Sequence, residues 1–468
     1  MDFKAMTEYV PKIRELGFNV VWVNPFFQSS DTVVKRFNKF TGEELDVKGS
    51  LYAMKLDGSC RPEMQDTQKN IIGYTSTVSS MGMIPIFDLV LNHIAKDSLA
   101  IEEHKSWFKE QDSHWDDICP FNYTSETRSK IFDVIWRPLL DQMVELGFQG
   151  MRVDYGTDVD QATLRMCVEH LRTKIKDPLI VFGEALIPVG KDVRGVLASC
   201  RDSGFTLLTN LSVFLSKDQI LQGKRPDNPL GYQWFLHDLG LKKSTCSGKC
   251  GNFWTGTLGF SGSHDHGTTI LSYFLNQGVP QEDIDAKLLT EEIQKDIERQ
   301  IKCVRARLIQ DRLALVTSEQ KLEIVKERMA IAAFSSDAGW YCFSSDEWLS
   351  EVAKSPFVCS DGAPFHREES IPSKGNAKIV EFIKNINSTF LRLREAPEVF
   401  WVEMFYTDDS SHLIFVRHIS DKQLPADVVC VKIKEGTKDY NDEDVKRVLT
   451  DKHAELGSFE NVNFHSLR

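Results

Sequence analysis

The sequence predicts an α/β protein built on a (β/α)₈ barrel and followed by a small antiparallel β domain. Helical segments alternate with short, almost continuously apolar strands, and seven such strands succeed one another along the chain. Strands that are apolar throughout are typical of a parallel sheet covered on both faces. A doubly wound sheet is the alternative. The Gly-x-Gly-x-x-Gly motif of dinucleotide-binding sheets does not follow the first strand, which argues against it.

The predicted elements follow in a regular order. Strands are predicted at residues 19–25, 83–90, 149–154, 179–184, 205–210, 257–261 and 339–343. Helices are predicted at residues 3–16, 65–80, 129–146 and 162–174, and Gly17 and Gly82 end the first two. Because the chain opens on the helix that would follow strand one of a barrel, the first strand is missing or the barrel closes in another way.

Three further segments define the predicted domain organisation. Residues 94–128 are too long for an ordinary βα connection, and they contain Trp107, His114, Trp115 and Tyr123, so we expect them to build part of a binding site. Residues 290–328 are charged with helical spacing, which predicts a helical excursion with a solvated face. After the barrel, residues 1–395, alternating runs predict a β-sandwich-like domain at residues 396–468.

Composition excludes several classes of partner. A net charge of -12 argues against nucleic acid or an anionic membrane as the main partner, and it suits a neutral ligand such as a carbohydrate. No apolar run is long enough to span a bilayer, and the first residues do not form a secretory signal. The 10 cysteines lack framework spacing, which predicts reduced thiols and a cytoplasmic protein, with non-classical export as the alternative. Oligomeric state stays open.

The stretch from Gly147 to Asp154 carries the strongest chemical signal. Alternation along a strand places Arg152 and Asp154 on one face. A guanidinium beside a carboxylate lowers the pKa of that carboxylate, and an ionised aspartate at a strand end is what a nucleophile on a sugar carbon requires. A structural ion pair that closes the strand is the alternative.

Other strand ends supply further polar side chains. They are Asp88 with Asn92 and His93, then Glu184, then His264, Asp265 and His266. In a barrel the carboxyl ends of the strands converge on one site. Glu184 is costly after an apolar strand unless it is exposed or functional, whereas Asp88 alone would be a packing residue. His264, Asp265 and His266 are also compatible with a metal site.

Four short motifs in this order resemble those of the α-amylase superfamily, glycoside hydrolase family 13. They are Asp88-Leu-Val-Leu-Asn-His93, Gly150-Met-Arg-Val-Asp154, Gly183-Glu184 and Ser263-His-Asp265. Tyr52 follows Gly49 where that family carries an aromatic platform beneath the sugar at the cleavage point. The resemblance spans roughly residues 1–400, and it implies a TIM barrel that acts on α-glucans such as starch or glycogen.

The resemblance also implies a role for each motif residue. Asp154 would be the nucleophile, Glu184 the general acid/base, and Asp265 would hold hydroxyls of the distorted sugar. The substrate-binding residues would be Tyr52, Asp88, His93, Arg152 and His264. Two carboxylates about 5 Å apart would form a covalent glycosyl-enzyme and retain the anomeric configuration. No cofactor is required, and Asn92 matches a calcium ligand of the family.

Departures from the family pattern leave the reaction type open. Thr157 and Asp158 replace a lysine–histidine pair after the nucleophile, and Ser50 and Leu51 replace the residues before the platform tyrosine. The Gly-Ser-x-Tyr-Ala loop at residues 49–53 resembles the maltosyltransferase branch of the superfamily. A retaining α-glucan hydrolase is the first hypothesis, a maltosyltransferase-like enzyme the second, and an inactive carbohydrate-binding scaffold the third.

Overall fold

The computed structural model describes most of the chain. The described residues are 2–37, 42–56, 68–109, 116–176, 179–185, 193–210, 256–262, 269–277, 279–288, 297–336, 339–342, 376–393, 401–418, 425–452 and 462–467. His264 and Asp265 lie outside these ranges, as do His114 and Trp115. No helix in the described ranges has the length and apolar character that crossing a membrane demands.

A seven-stranded parallel sheet forms the centre of the molecule. In spatial order its strands are β1 (Val20–Val23), β4 (Ile84–Leu89), β7 (Gly150–Val153), β8 (Ile180–Gly183), β9 (Leu207–Asn210), β10 (Gly256–Phe260) and β11 (Gly339–Tyr341). Every neighbouring pair is parallel. All seven predicted strands are therefore confirmed, each within a few residues of its predicted bounds.

The sheet is curled, so that side chains from its two edge strands meet. The ring centroids of Trp22 on β1 and Tyr341 on β11 are 5.8 Å apart, and Phe182 on the central strand β8 contacts both rings. These rings belong to an apolar cluster that lines the concave face together with Ile86 and Ile180. The described residues provide a half-barrel of seven strands and contain no eighth strand in this sheet.

Helices connect the first five strands of the central sheet, as the sequence predicts. In chain order they are α1 (Phe3–Glu15), α2 (Gln68–Ser80), α3 (Leu99–Glu103), α4 (Arg128–Ile131), α5 (Arg137–Glu145), α6 (Gln161–Lys174) and α7 (Val193–Ser203), with a π-helical turn (Phe132–Trp136) joining α4 to α5. Asp2 caps α1 by accepting a hydrogen bond from the Ala5 backbone N–H at 2.7 Å, and Asp160 caps α6 in the same way.

Two small hairpins follow the first two strands of the central sheet. Strands β2 (Val33–Phe37) and β3 (Glu44–Lys48) form an antiparallel hairpin after β1 that the sequence did not predict. After β4, strands β5 (His93–Ala95) and β6 (Ile118–Pro120) pair within the predicted insertion 94–128, with α3 and a 3₁₀ turn (Lys105–Trp107) between them. Tyr123 fixes this insertion by donating to the Leu91 carbonyl at 2.8 Å.

The segment predicted as a solvated helical excursion is only partly so. It comprises α10 (Ile297–Leu315) and the start of α11 (Ser318–Phe334), which follow α8 (Thr269–Gln277) and α9 (Gln281–Leu288). The last six residues of α11, from Met329 to Phe334, are completely buried, and the helix packs on β10 and β11. The solvated prediction is wrong for α11, because its charged residues Lys326 and Arg328 are themselves buried, with Lys326 paired to Glu435 at 2.7 Å.

The C-terminal region is a mixed four-stranded sheet rather than a purely antiparallel sandwich. Its strands in spatial order are β12 (Trp401–Tyr406), β13 (His412–His418), β14 (Pro425–Lys432) and β15 (Asn463–Leu467). The β14–β15 pair is parallel, because α13 (Asp442–Lys452) connects them. α13 covers one face of the sheet, while α11 and α12 (Ala377–Phe390) share an apolar core with the other face.

Candidate active site

Three neighbouring strands bring the acidic residues together. In the parallel register Asp88 on β4 pairs with Arg152 on β7, and Val153 pairs with Gly183 on β8. Asp154 and Glu184 directly follow the last two of these strands, so they leave the sheet side by side. The Asp154 N–H bonds to the Leu89 carbonyl at 3.0 Å, and the Glu184 N–H bonds to the Val153 carbonyl at 3.2 Å, which fixes both backbones.

Arg152 is the centre of this acidic cluster. Its Nη1 lies 2.6 Å from Oδ1 of Asp154 and 3.1 Å from Oδ1 of Asp88, and its Nη2 lies 2.9 Å from Oε2 of Glu184. The side chains of Arg152 and Asp88 are 2% and 0% exposed, whereas those of Asp154 and Glu184 are 17% and 16% exposed. A ligand arriving from solvent therefore meets Asp154 and Glu184 first.

The contact between Arg152 and Glu184 corrects one expectation. With the roles that the resemblance implies, Arg152 beside Asp154 is expected to supply part of the difference between an ionised nucleophile and a protonated acid. In the structure one guanidinium contacts both carboxylates. Arg152 alone therefore does not distinguish the two carboxylates. The contact with Glu184 depends on the register between neighbouring strands, which the spacing of residues within one strand does not reveal.

Asp88 is buried among donors. Its Oδ2 accepts hydrogen bonds from Trp22 Nε1 at 3.1 Å and from the Tyr52 hydroxyl at 2.9 Å, and Arg152 approaches both of its oxygens. Burial raises the pKa of Asp88 to about 7, and the charge of Asp154 adds to the rise, although Arg152 and Tyr52 oppose it. Burial opposes the charge of Arg152 as well, yet Asp88 and Glu184 keep its pKa well above the ordinary value.

Tyr52 lies beside the cluster, as the resemblance implies. Its ring centroid is 5.7 Å from the guanidinium carbon of Arg152, and its hydroxyl is held by Asp88. The loop that carries it is fixed by the buried Asp117, whose carboxylate accepts the Ser50 backbone N–H at 2.9 Å. Tyr52 is therefore a preorganised aromatic side chain next to Arg152 and Asp88.

His93 begins β5 close to the Tyr52 loop. Burial lowers the pKa of His93 to about 4, and the charge of Asp117 only partly offsets this. His93 is consequently a neutral imidazole at physiological pH, suited to exchanging hydrogen bonds with a hydroxyl group.

The predicted calcium ligand has few partners within the described residues. Asn92 uses its backbone carbonyl to accept the Phe121 N–H at 3.0 Å. No cluster of three His, Cys, Asp or Glu side chains able to hold a metal occurs in the described part of the chain. Calcium binding through Asn92 therefore stays a prediction, as does the role of His264 and Asp265, which lie outside that part.

Two contributors were missed by sequence reasoning. Trp22 on β1 donates to Asp88 and stacks its ring 5.0 Å from the guanidinium carbon of Arg152. Tyr155 has a left-handed backbone, φ 48°, and its N–H donates to Oε2 of Glu184 at 3.0 Å. Trp22 lies on a predicted strand, between two apolar residues, so its place in the sheet could have been predicted from the sequence. The sequence around Tyr155 contains no comparable pattern.

Comparisons with known proteins agree with this architecture. No protein-family model and no curated protein sequence matches the chain. Among solved structures, an Anoxybacillus α-amylase matches with a TM-score of 0.57 at 13% identity over 94% of this chain and 81% of that one. The α-amylase from Geobacillus thermoleovorans, solved in complex with acarbose, matches with a TM-score of 0.56 at 14% identity over 90% and 78%.

A third similar structure is named for a different substrate. The cyclic α-maltosyl-(1→6)-maltose hydrolase from Arthrobacter globiformis matches with a TM-score of 0.52 at 15% identity, over 90% of this chain and 80% of that one. Identities this low establish the fold and not the reaction. The structural likeness agrees with the fold that the resemblance implies: the chain folds like these α-amylase-type structures.

Proposed function

We propose that this chain is a retaining glycoside hydrolase that cleaves α-1,4-linked glucose polymers such as starch or glycogen. The observation that supports it best is the single guanidinium that gathers Asp154, Glu184 and Asp88 at the ends of three adjacent strands. Two partly exposed carboxylates on neighbouring strand ends are the groups that glycoside hydrolysis uses. A structural ion pair alone would not require two acids to remain exposed to solvent.

In the proposed mechanism Asp154 attacks the anomeric carbon while Glu184 protonates the departing glycosidic oxygen. The bond from the anomeric carbon to that oxygen breaks as the bond to Asp154 forms. Glu184 then takes a proton from water, whose oxygen displaces Asp154 and restores the original configuration. Arg152 holds both carboxylates in place through these steps, because its contacts reach each of them.

The other predicted residues act on the sugar. Tyr52 offers a ring for stacking, and neutral His93 exchanges hydrogen bonds with hydroxyl groups. Asp265 and His264 are proposed, from the motif resemblance, to hold hydroxyls of the distorted ring. No organic cofactor enters the mechanism, and a cytoplasmic location is proposed from the composition.

Product analysis on maltoheptaose, amylose and pullulan tests the proposal. We expect reducing ends to accumulate, and both Asp154→Asn and Glu184→Gln to lower kcat by at least about 10³-fold, because each removes a group that reacts covalently or transfers a proton. Asp283→Asn removes a carboxylate from an exposed pair with Arg312 and serves as the control, with unchanged turnover.

Three outcomes would contradict the proposal. Unchanged turnover in Asp154→Asn removes the nucleophile assignment. Sugar phosphate formed only when inorganic phosphate is added would favour the maltosyltransferase-like alternative. Binding of maltoheptaose without turnover would favour the inactive scaffold.

A further inference from the structure

The β2–β3 hairpin is anchored beside the acidic cluster at its base. The Ser30 N–H donates to the Ala53 carbonyl at 2.8 Å, and the Gly49 N–H donates to the Thr32 carbonyl at 3.0 Å. Gly49 has φ 61°, and a Cβ there would overlap the Ser30 carbonyl, so only glycine fits this crossing. Tyr52 follows three residues later and reaches Asp88, which ties the base of the hairpin to the site.

Charged groups strengthen the same base. Lys55 Nζ lies 2.6 Å from Asp31 and 3.1 Å from Asp97, so it links the start of the hairpin to the insertion after β4. The Asp31 N–H also donates to the Asp97 carboxylate at 2.8 Å. The base of the hairpin is therefore fixed both to the Tyr52 loop and to the insertion after β4.

The distal end of the hairpin rests on helix α10. Cys303 Sγ donates to the Gly42 carbonyl at 3.4 Å, and Glu44 lies 3.9 Å from Arg299. A Cβ built on Gly42 would stand 3.2 Å from the Cβ of Ala306, whose own side chain is completely buried. The contact is close enough that a larger residue on α10 would displace the hairpin.

The two ends of the hairpin belong to opposite sides of the central sheet. Its base follows β1, which is one edge strand, whereas α10 follows β10, the neighbour of the other edge strand β11. Arms of five residues each span about 17 Å. The hairpin therefore joins the Tyr52 loop, which reaches Asp88, to a helix that follows β10.

We propose that this hairpin walls one side of the active site, so that the enzyme acts on the ends of α-glucan chains and not within them. An internal cut requires a polymer to leave the site in two directions, whereas a hairpin that closes one side of the site leaves one exit. The inference rests on the proposed function and deepens it by naming the part of the substrate that binds.

Capped oligosaccharides test chain-end action directly. Maltoheptaose is compared with maltoheptaose carrying an aryl group at its reducing end and an ethylidene bridge at its other end, and the disappearance of each is followed. We expect the doubly capped form to react about 10²-fold more slowly, because neither end then fits against the wall. Equal rates overturn the chain-end inference and leave the hydrolase proposal standing; no reaction with either substrate defeats both.

A matched pair of variants tests whether the hairpin is the wall. Ala306→Glu places a charged side chain beneath Gly42 and should displace the hairpin, raising the rate on the capped substrate about tenfold. Ala314→Glu, at an exposed position of the same helix, should leave that rate unchanged. A folded Ala306→Glu protein that behaves like Ala314→Glu overturns the assignment; if Ala306→Glu does not fold, the comparison of substrates with the unaltered protein decides.

Discussion

At the residue scale, the pKa of His93 gives a pH dependence with a defined sign. The folded pKa is about 4, below the ordinary value of 6.5, so the unfolded chain binds a proton that the folded chain does not between these two values. This contribution to stability is fully present above pH 6.5 and is lost as the pH falls towards 4. We expect the free energy of unfolding of the unaltered protein to fall more steeply over that range than that of His93→Gln.

Urea unfolding at a series of pH values measures this difference. The comparison between the two proteins is needed because Asp88 acts in the opposite sense: its raised pKa of about 7 makes its contribution decrease as the pH rises from about 4 to 7. Asp88 is present in both proteins, so its contribution to the pH dependence cancels in the comparison. Parallel pH curves would contradict the assignment of a neutral His93 with a lowered pKa.

At the element scale, the contact between β10 and α11 depends on a glycine. A Cβ on Gly259 would overlap the backbone carbonyl of Ala332, which cannot move aside as a side chain could. We expect Gly259→Ala to lower the free energy of unfolding by about 1–3 kcal/mol, because strand and helix must separate. Gly73→Ala in α2 is the control: a Cβ there meets nothing within 4 Å, so a gain of about 1 kcal/mol is expected. Equal effects in urea titrations would count against the close approach.

The elements also show what a sequence pattern can and cannot reveal. The central strands were predicted because each is a short apolar run, and the acids at their ends were predicted because parallel strands share an edge. The β2–β3 hairpin was not predicted, because Lys35, Glu44 and Asp46 give its two strands a polar composition. The parallel partner of β14 was missed for a different reason: its pairing joins segments separated by α13, which no local pattern encodes.

Burial of charge is the second limit on sequence reasoning. Lys326 and Arg328 led to the prediction that α11 is solvated, yet both are buried. Lys326 forms an ion pair with Glu435, which follows β14 of the C-terminal sheet. Likewise, the contact of Arg152 with Glu184 depends on the register between β7 and β8. Both cases involve partners that are distant in sequence, so spacing alone could not supply them.

At the scale of the whole molecule, the barrel helices and the C-terminal sheet share one apolar core. Phe415 on β13 is completely buried, and its ring centroid lies 5.5 Å from that of Phe334 on α11. We expect Phe415→Ala to cost about 3–5 kcal/mol and to lower the unfolding temperature of the entire protein. Scanning calorimetry should show a single transition that moves as one. Leu391→Ala, at a side chain that is 80% exposed, should leave the unfolding temperature unchanged. Two separate peaks in the Phe415→Ala protein, only one of them shifted, would contradict a shared core.

The contacts of Arg152 with Asp88, Asp154 and Glu184 have a consequence for the redesign of this protein. Since one guanidinium contacts three carboxyl groups, the loss of any one of them changes the surroundings of the other two, so we expect the effects of paired substitutions not to add up. Changes of specificity are better sought among the aromatic and loop residues around this acidic cluster, leaving its charge count intact.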